Sequence, residues 1–305
     1  MEIIYLDHQK LNIHEPICSA IGFFDGLHLG HMQLVDKVIE ISKEKGMKKA
    51  LMTFDHHPLY VLGRITQEHY LTSMRDRIQL LEDKGIDYLF IIQFTKEVAA
   101  LSPQDFIDKY LIQLSIQHVV CGFDFHFGFQ NLGDAKTLKN YDPQHLNVTV
   151  IDEVIYDGEK ISSTRIRKVI ELGHMDLAKK LLGRRYMIRG KVIAGRRLGR
   201  SFGFPTANID YSSYFLPKRG VYAVEVIVGQ QSYLGMCNVG YNPTVGTLNR
   251  KSVEVNLFDF NEDIYDQEIR ILFIEKIRDE KQFSNQDELI KQLRCDKESI
   301  QKQFH

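Results

Sequence analysis

The sequence predicts an α/β domain followed by an antiparallel β domain that ends in a helix, and three observations carry that prediction. The first half alternates strand-like apolar runs with helical patterns, and after Gly183 the pattern changes to a period of two. At 305 residues the chain exceeds one ordinary core and suits two domains of roughly 100 to 200 residues each. The expected domains are residues 1–183 and 184–305.

In the first domain ICSAIGFF, KALMTF and YLFIIQF read as strands, with HMQLVDKVIEISKEKG and MRDRIQLLEDKG as the helices between them. Strand and helix in turn imply parallel βαβ units. HVVCGF and VTVIDEVI supply two more short strands, and STRIRKVIELG with MDLAKKLLG reads as a helical pair closing the domain. In the second domain YMIRGKVIA, GVYAVEVIVG, QSYLGMCNVG, SVEVNLFDF and QEIRILFIEKI are separated by Gly, Asn, Asp and Pro turns, the pattern of an antiparallel barrel or sandwich. For the terminal helix the expected cap is Ser284, with Asp287 three residues later, and Leu289 and Leu293 share one face.

Composition narrows the function. The chain is 44% apolar and 26% charged, with no run of the ~20 apolar residues that span a bilayer, so no membrane helix is expected. The start, MEIIYLDHQK, has no basic stretch followed by an apolar one, and the cytoplasm is the expected location. Four scattered cysteines without a C-x-x-C pair read as reduced thiols. With 39 basic and 40 acidic residues the chain lacks the positive field that nucleic-acid binding needs, which leaves small molecules as the expected partners. Assembly into a homo-oligomer stays open.

The first candidate site is AIGFFDGLHLGHMQLV. A buried strand runs into Asp25-Gly26 and a helix begins near Gly30, the junction where open α/β sheets bind ligands. His28 and His31 stand at that helix start. Its free N–H groups favour a phosphate, two imidazoles can donate further hydrogen bonds, and Gly26 and Gly30 let a triphosphate approach the backbone. Two surface histidines in a loop are the alternative, and the strand and helix around them favour the site. ISSTRIRKVIEL offers Ser162, Ser163 and Thr164 with Arg165 and Arg167 at a second helix start. Alone this is an ordinary N-cap beside a solvated arginine; paired with the first it suggests the two ends of one triphosphate.

The second candidate site is AGRRLGRSFGFPTANID. Gly195, Gly199 and Gly203 with Arg196, Arg197 and Arg200 make either a cationic loop over phosphates or a polar hairpin turn. It is not a Walker loop, because no G-K-[ST] ends it. Pro205 biases Phe204 to an extended conformation, and continued extension points the Thr206 hydroxyl and Asn208 amide the same way, an oxygen pair suited to Mg²⁺. In KSVEVNLFDF, Glu254 and Asn256 fall on the face opposite Val253, Val255 and Leu257. Glu254 alone reads as an ordinary strand carboxylate.

FDGLHLGH resembles the signature of the nucleotidylyltransferase superfamily. With TFDHHP at 53–58, GFDFHFG at 122–128 and ISSTRIR at 161–167 it resembles the FMN adenylyltransferase branch. GRSFGFPTANI, PKRGVYAV, NVGYNPTV and VEVNLFDFNEDIYDQEI resemble the riboflavin kinase domain. Together they cover most of the chain in the order of the prokaryotic bifunctional riboflavin kinase and FAD synthetase family. That resemblance implies a Rossmann-like nucleotidylyltransferase domain and then a six-stranded barrel, and it implies that riboflavin, FMN, FAD, ATP and Mg²⁺ are the molecules handled.

By the same resemblance Gly22, Phe24, Asp25, Gly26, His28 and His31 hold ATP phosphates, Ser163, Thr164 and Arg167 take their other end, and Phe54, His57, Asp124 and Phe125 border the flavin and nucleotide. Gly195, Arg200, Gly203, Pro205, Thr206 and Asn208 serve the kinase, with Thr206 and Asn208 on the metal and Glu254 as base. The chain departs from its relatives at His56, where proline is common, and at His126 or Asn131, where arginine is frequent. Phe202 and Asn256 replace a leucine and a histidine. Competing readings are a riboflavin kinase with a diverged adenylyltransferase half, a nucleotidylyltransferase for another substrate, and a flavin-sensing regulator. Keeping Glu254 with Thr206 and Asn208 speaks against the regulator, since binding alone needs no base.

Overall fold

The computed structural model describes residues 1–6, 13–194, 203–211, 213–241 and 251–304. Backbone contacts divide the chain into two units, Met1–Ser162 and Ser163–His305.

The first unit begins with β1 (Glu2–Leu6), β2 (Ile17–Ile21), α1 (Leu29–Lys45), β3 (Lys48–Phe54), α2 (Pro58–Val61), α3 (Met74–Asp83) and β4 (Tyr88–Ile92). It continues through α4 (Lys96–Ala99), α5 (Pro103–Tyr110), β5 (Ile116–Gly122), the short β6 (His126–Phe127) and β7 (Gly133–Asp134), α6 (Ala135–Tyr141), β8 (Asn147–Ile151), and a hairpin of β9 (Ile155–Tyr156) and β10 (Glu159–Lys160). Six strands form one sheet in the order β1-β4-β3-β2-β5-β8, and every pair in it is parallel.

Both faces of that sheet are covered, which is why the central strands read as unbroken apolar runs. Along β2, Ile17 and Ile21 join the core beside α5, while Cys18 and Ala20 join the opposite core with Leu34, Val35 and Val38 of α1. From β2 the sheet grows through β3 to β4 and then returns to β5 on the other side of β2. The reversal opens a crevice at the carboxyl ends of β2 and β5. The edge strand β1, with Ile3 and Tyr5 exposed, and the helix α5 go beyond what the sequence pattern predicted.

The second unit holds α7 (Ser163–Leu172), α8 (Met175–Leu182), β11 (Met187–Ile193), β12 (Ala207–Asp210), β13 (Gly220–Val228), β14 (Gln231–Tyr241), β15 (Lys251–Leu257), β16 (Glu268–Arg278) and α9 (Gln286–Phe304). Its strands close into an antiparallel barrel in the order β11-β12-β15-β14-β13-β16, so the expectation of a barrel or sandwich resolves to a six-stranded barrel. Val192, Ile209, Val239, Val253 and Val255 are buried on one face of the strands; Val221, Ala223 and Met236 face the other way, with Phe204, Phe258 and Ile300 of α9. The barrel is narrow at Gly190, where a Cβ would run into Ile209 and the Asp210 carbonyl.

The cap of α9 differs from the expected one by a residue. Asn285 Oδ1 accepts from the Glu288 N–H at 2.9 Å, and the Glu288 carboxylate accepts from the Ser284 N–H at 3.2 Å. Asparagine caps as well as serine, and only the later register puts a glutamate at the third helical position. No helix among the described residues is long and apolar enough to cross a membrane. Cys18, Cys121 and Cys237 are buried free thiols, and burial pushes Cys18 up to about 12 and Cys121 up to about 11, which keeps both unreactive.

Candidate active sites

The turn between β2 and α1 sits at the crevice of the parallel sheet. Its backbone takes positive φ at Phe24 (54°), Gly26 (90°) and Leu27 (37°), which folds the chain back on itself before the helix. Phe24 points into the core beneath Gly22, where a Cβ would come within 3.3 Å of its ring. His28 is the N-cap of α1: it is 5% exposed, and its Nδ1 accepts from the His31 N–H at 3.3 Å. The two imidazoles stack at 3.7 Å between centroids and 15° between planes. Gly30 leaves room for this, since a Cβ there would approach the His28 ring to 3.2 Å. No acidic side chain stands in the first turn of α1, and a helix N-terminus of that kind favours an anion. Asp25 belongs to the turn, yet its carboxylate is 2% exposed and accepts from the N–H groups of Leu71 (2.9 Å) and Thr72 (3.3 Å).

The other predicted residues of the first unit cluster at the same edge of the sheet. Phe54 ends β3 and meets Phe94 edge-on at 5.1 Å. His57 caps α2, accepts from the Leu59 N–H at 3.0 Å and lies 4.7 Å edge-on from Phe23. Asp124 and Phe125 follow β5; Asp124 is exposed and paired with Lys160, and Phe125 stacks on Phe127 at 5.5 Å. His56 pairs through Nδ1 with Glu68 at 2.8 Å. Burial works to raise the Glu68 pKa, but bonds from Tyr70, the His57 N–H and His56 outweigh it and hold the carboxyl below its usual value. His126 and Asn131 are both exposed, in β6 and in the turn before β7. Ser163, Thr164 and Arg167 open α7 in the second unit, where the Arg167 guanidinium lies 5.2 Å over the Phe215 ring.

In the barrel, Asn208 of β12 stands directly opposite Glu254 of β15, and Glu254 is in turn opposite Asn238 of β14. Directly opposed residues share a face, so the three form one polar row outside the apolar interior. Thr206 lies just before β12, two residues from Asn208. Asn256, on the Glu254 face, is 5% exposed and donates through Nδ2 to the Pro205 carbonyl at 2.7 Å, which ties the backbone beside Thr206 to β15. Gly203 takes φ 77° in the approach to this segment. Gly195 and Arg200, with Arg196, Arg197, Gly199 and Phe202, lie outside the described residues.

A cleft of about 310 Å³ opens beside Thr206, between Val192, Leu257 and the Phe260–Tyr265 loop. That loop falls within the VEVNLFDFNEDIYDQEI motif, but sequence reasoning assigned none of the loop's residues to the site. Its signal was the acidic, turn-rich NEDIYD, and the structure gives it form: the Asp263 carboxylate accepts from the Tyr265 N–H at 3.0 Å, and Gln267 and Asp266 exchange backbone bonds with Val192.

Comparison with known proteins matches a separate family to each half of the chain. The FAD synthetase family matches residues 10–165 and the riboflavin kinase family residues 182–304. The bifunctional riboflavin kinase/FMN adenylyltransferase of Bacillus subtilis is 39% identical over 100% of this chain and 98% of its own, and that of Listeria monocytogenes is 38% identical with the same coverage. The crystal structure of a Streptococcus pneumoniae protein described as a macrolide-efflux protein superposes with a TM-score of 0.90 at 32% identity, over 98% of both chains. Efflux is that protein's description; both halves of this chain match flavin-nucleotide families. The chain therefore belongs to the family of bifunctional riboflavin kinase/FMN adenylyltransferases.

Proposed function

We propose that the protein converts riboflavin to FMN in its barrel domain and FMN to FAD in its parallel-sheet domain, each step with ATP, and that the domains are residues 1–183 and 184–305. The observation that supports the reading is that each matched family region holds a group of polar side chains suited to its step: the stacked histidine pair at a helix N-terminus, and the Asn208–Glu254–Asn238 row of the barrel.

In the barrel, Glu254 takes the proton of the ribityl 5′-hydroxyl as that oxygen attacks the γ-phosphorus of ATP, and ADP leaves. A carboxylate of ordinary basicity suffices, because the proton moves as the new bond forms. Thr206 and Asn208 would hold Mg²⁺: their side chains offer neutral oxygens. Among the described residues no group of three or more His, Cys, Asp or Glu could hold a metal, so nucleotide phosphates and water would complete its shell. When bound, the ion would neutralise phosphate charge. Gly195, Arg200, Gly203 and Pro205 are phosphate ligands by the motif they carry, and the cleft beside Thr206 has the size for part of the nucleotide.

In the first domain an FMN phosphate oxygen attacks the α-phosphorus of ATP, and pyrophosphate leaves. Gly22, Gly26, His28 and His31 receive the triphosphate, the buried Phe24 and Asp25 shape their turn, and the two rings donate to phosphate oxygens as charge shifts. Ser163, Thr164 and Arg167 are further phosphate ligands by the motif they carry, and Phe54, His57, Asp124 and Phe125 border flavin and nucleotide. The reading puts this chemistry in the cytoplasm. Incubating the protein with riboflavin, ATP and Mg²⁺ and separating the flavins tests it: FMN and then FAD are expected. Riboflavin recovered unchanged contradicts the reading and leaves a flavin-binding regulator; FMN without FAD restricts the activity to the barrel.

A further inference from the structure

The turn that carries His28 and His31 is strained, since Phe24 and Leu27 are non-glycine residues held at positive φ. Such a conformation persists only where its surroundings fix it. Part of the fixing comes from one buried arginine that the proposed chemistry does not use. Arg77 of α3 is 2% exposed, and its NH1 donates to the Phe23 carbonyl at 3.0 Å. Thr53 Oγ1 donates to the same carbonyl, also at 3.0 Å. The guanidinium lies 5.5 Å over the Phe23 ring and 5.6 Å over the Tyr70 ring. Two residues past Phe23, the buried Asp25 carboxylate accepts from the Leu71 and Thr72 N–H groups, which immediately precede the Ser73 cap of α3. The turn is thus held at Phe23 and at Asp25 by the start of α3 and the residues before it.

An arginine in this place is costly. Burial works to lower its pKa, against the opposing pull of Asp25, Tyr70 and Glu68, and among the described residues its buried Nε has no hydrogen-bond partner. An apolar side chain would fill the space without that desolvation, so packing alone does not account for a guanidinium here. What a guanidinium does, and an apolar chain cannot, is grip the Phe23 carbonyl while facing the Asp25 charge. We infer that Arg77 is a positioning residue for adenylyl transfer: with Asp25 it fixes the Phe23–Leu27 turn and so sets where the His28 and His31 rings stand at the start of α1. This rests on the adenylyltransferase reading of that site.

The test uses the full-length protein with Arg77→Met and Arg77→Lys. Adenylyl transfer from supplied FMN and ATP is measured with its kcat and KM values, alongside riboflavin phosphorylation and thermal unfolding. The expected result is a kcat for FAD formation lower by about tenfold to a hundredfold in Arg77→Met, as for misplaced catalytic groups, and an intermediate loss in Arg77→Lys. KM for ATP and FMN should stay within about threefold, and riboflavin phosphorylation at the wild-type rate. Arg77→Met and Arg77→Lys proteins that fold and keep wild-type kcat overturn the inference, as does a loss confined to KM, which would make Arg77 a substrate ligand. If Arg77→Met does not fold, Arg77→Lys and Thr53→Val, which removes the second donor to Phe23, decide in the same way. A wild-type protein that makes no FAD refutes the underlying reading instead.

Discussion

His28 does two jobs that substitution can separate. Its Nδ1 caps α1 by accepting from the His31 N–H, and the rest of the ring stacks on His31 at 3.7 Å. His28→Ala removes both; His28→Asn keeps a capping oxygen and removes the ring. Loss of an N-cap costs about 1 kcal/mol of stability. Loss of a preorganised donor to the reacting phosphate costs ~3 kcal/mol of barrier, which is a hundredfold or more in rate. We expect His28→Ala to unfold a few degrees lower than wild type and to form FAD at least about a hundredfold more slowly. His28→Asn should recover most of the stability and none of the rate. The assay is FAD formation from FMN at saturating ATP, with riboflavin phosphorylation as the internal control and circular dichroism for the melting midpoint. An Asn variant with wild-type turnover would show that the residue is only a cap.

Three further outcomes follow from particular contacts. Asn256→Ala frees the Pro205 carbonyl from β15, so kcat/KM for riboflavin phosphorylation should fall about tenfold with FAD formation from FMN unchanged; equal kinase activity would rule out a role for that bond. A fragment of residues 163–305 should phosphorylate riboflavin and melt at least about 5 °C above one of residues 184–305, because α8 packs on β16; identical melting would refute this. His118 is buried between Lys45, which can only donate to its Nδ1 (3.4 Å), and Thr149 at Nε2 (2.8 Å), and burial followed by the Lys45 charge pushes it down from 6.5 to about 4. The unfolded chain then binds a proton that the folded one lacks, so this contribution is complete above pH 6.5 and is lost as pH falls towards 4. His118→Gln should flatten the melting curve over that interval, and an unaltered acid limb would contradict the assignment.

The elements legible in the sequence are those whose signal is local. The apolar runs of β2 to β5 and the alternation of β11 and β13 to β16 are set by which faces are buried, and the His28–His31 turn announces itself because strand, glycine and helix start adjoin in sequence. The edge strand β1 is half exposed and short, so nothing in its pattern distinguishes it. Register is what stayed hidden. Glu254 gains meaning from Asn208 and Asn238, which stand opposite it on neighbouring strands. Asn256, read only as a departure from a usual histidine, acquires a bond to Pro205. Arg77 lay inside the predicted helix MRDRIQLLEDKG without standing out from its neighbours, and only the packing of α3 against the turn brings it to Phe23. The α9 cap slipped by one residue because Ser284 and Asn285 are both good caps, and Glu288 chose between them.

The central claim is that one chain carries two separate active sites, and Glu254→Gln tests it most directly. The substitution keeps the size of the side chain while replacing its carboxylate with an amide that cannot act as a base. Both half-reactions are measured on the folded variant, one supplied with riboflavin and the other with FMN, each with ATP and Mg²⁺. The account predicts that FMN formation is lost while FAD forms from supplied FMN at the wild-type rate. Equal loss of both reactions, or unimpaired phosphorylation of riboflavin, would contradict it.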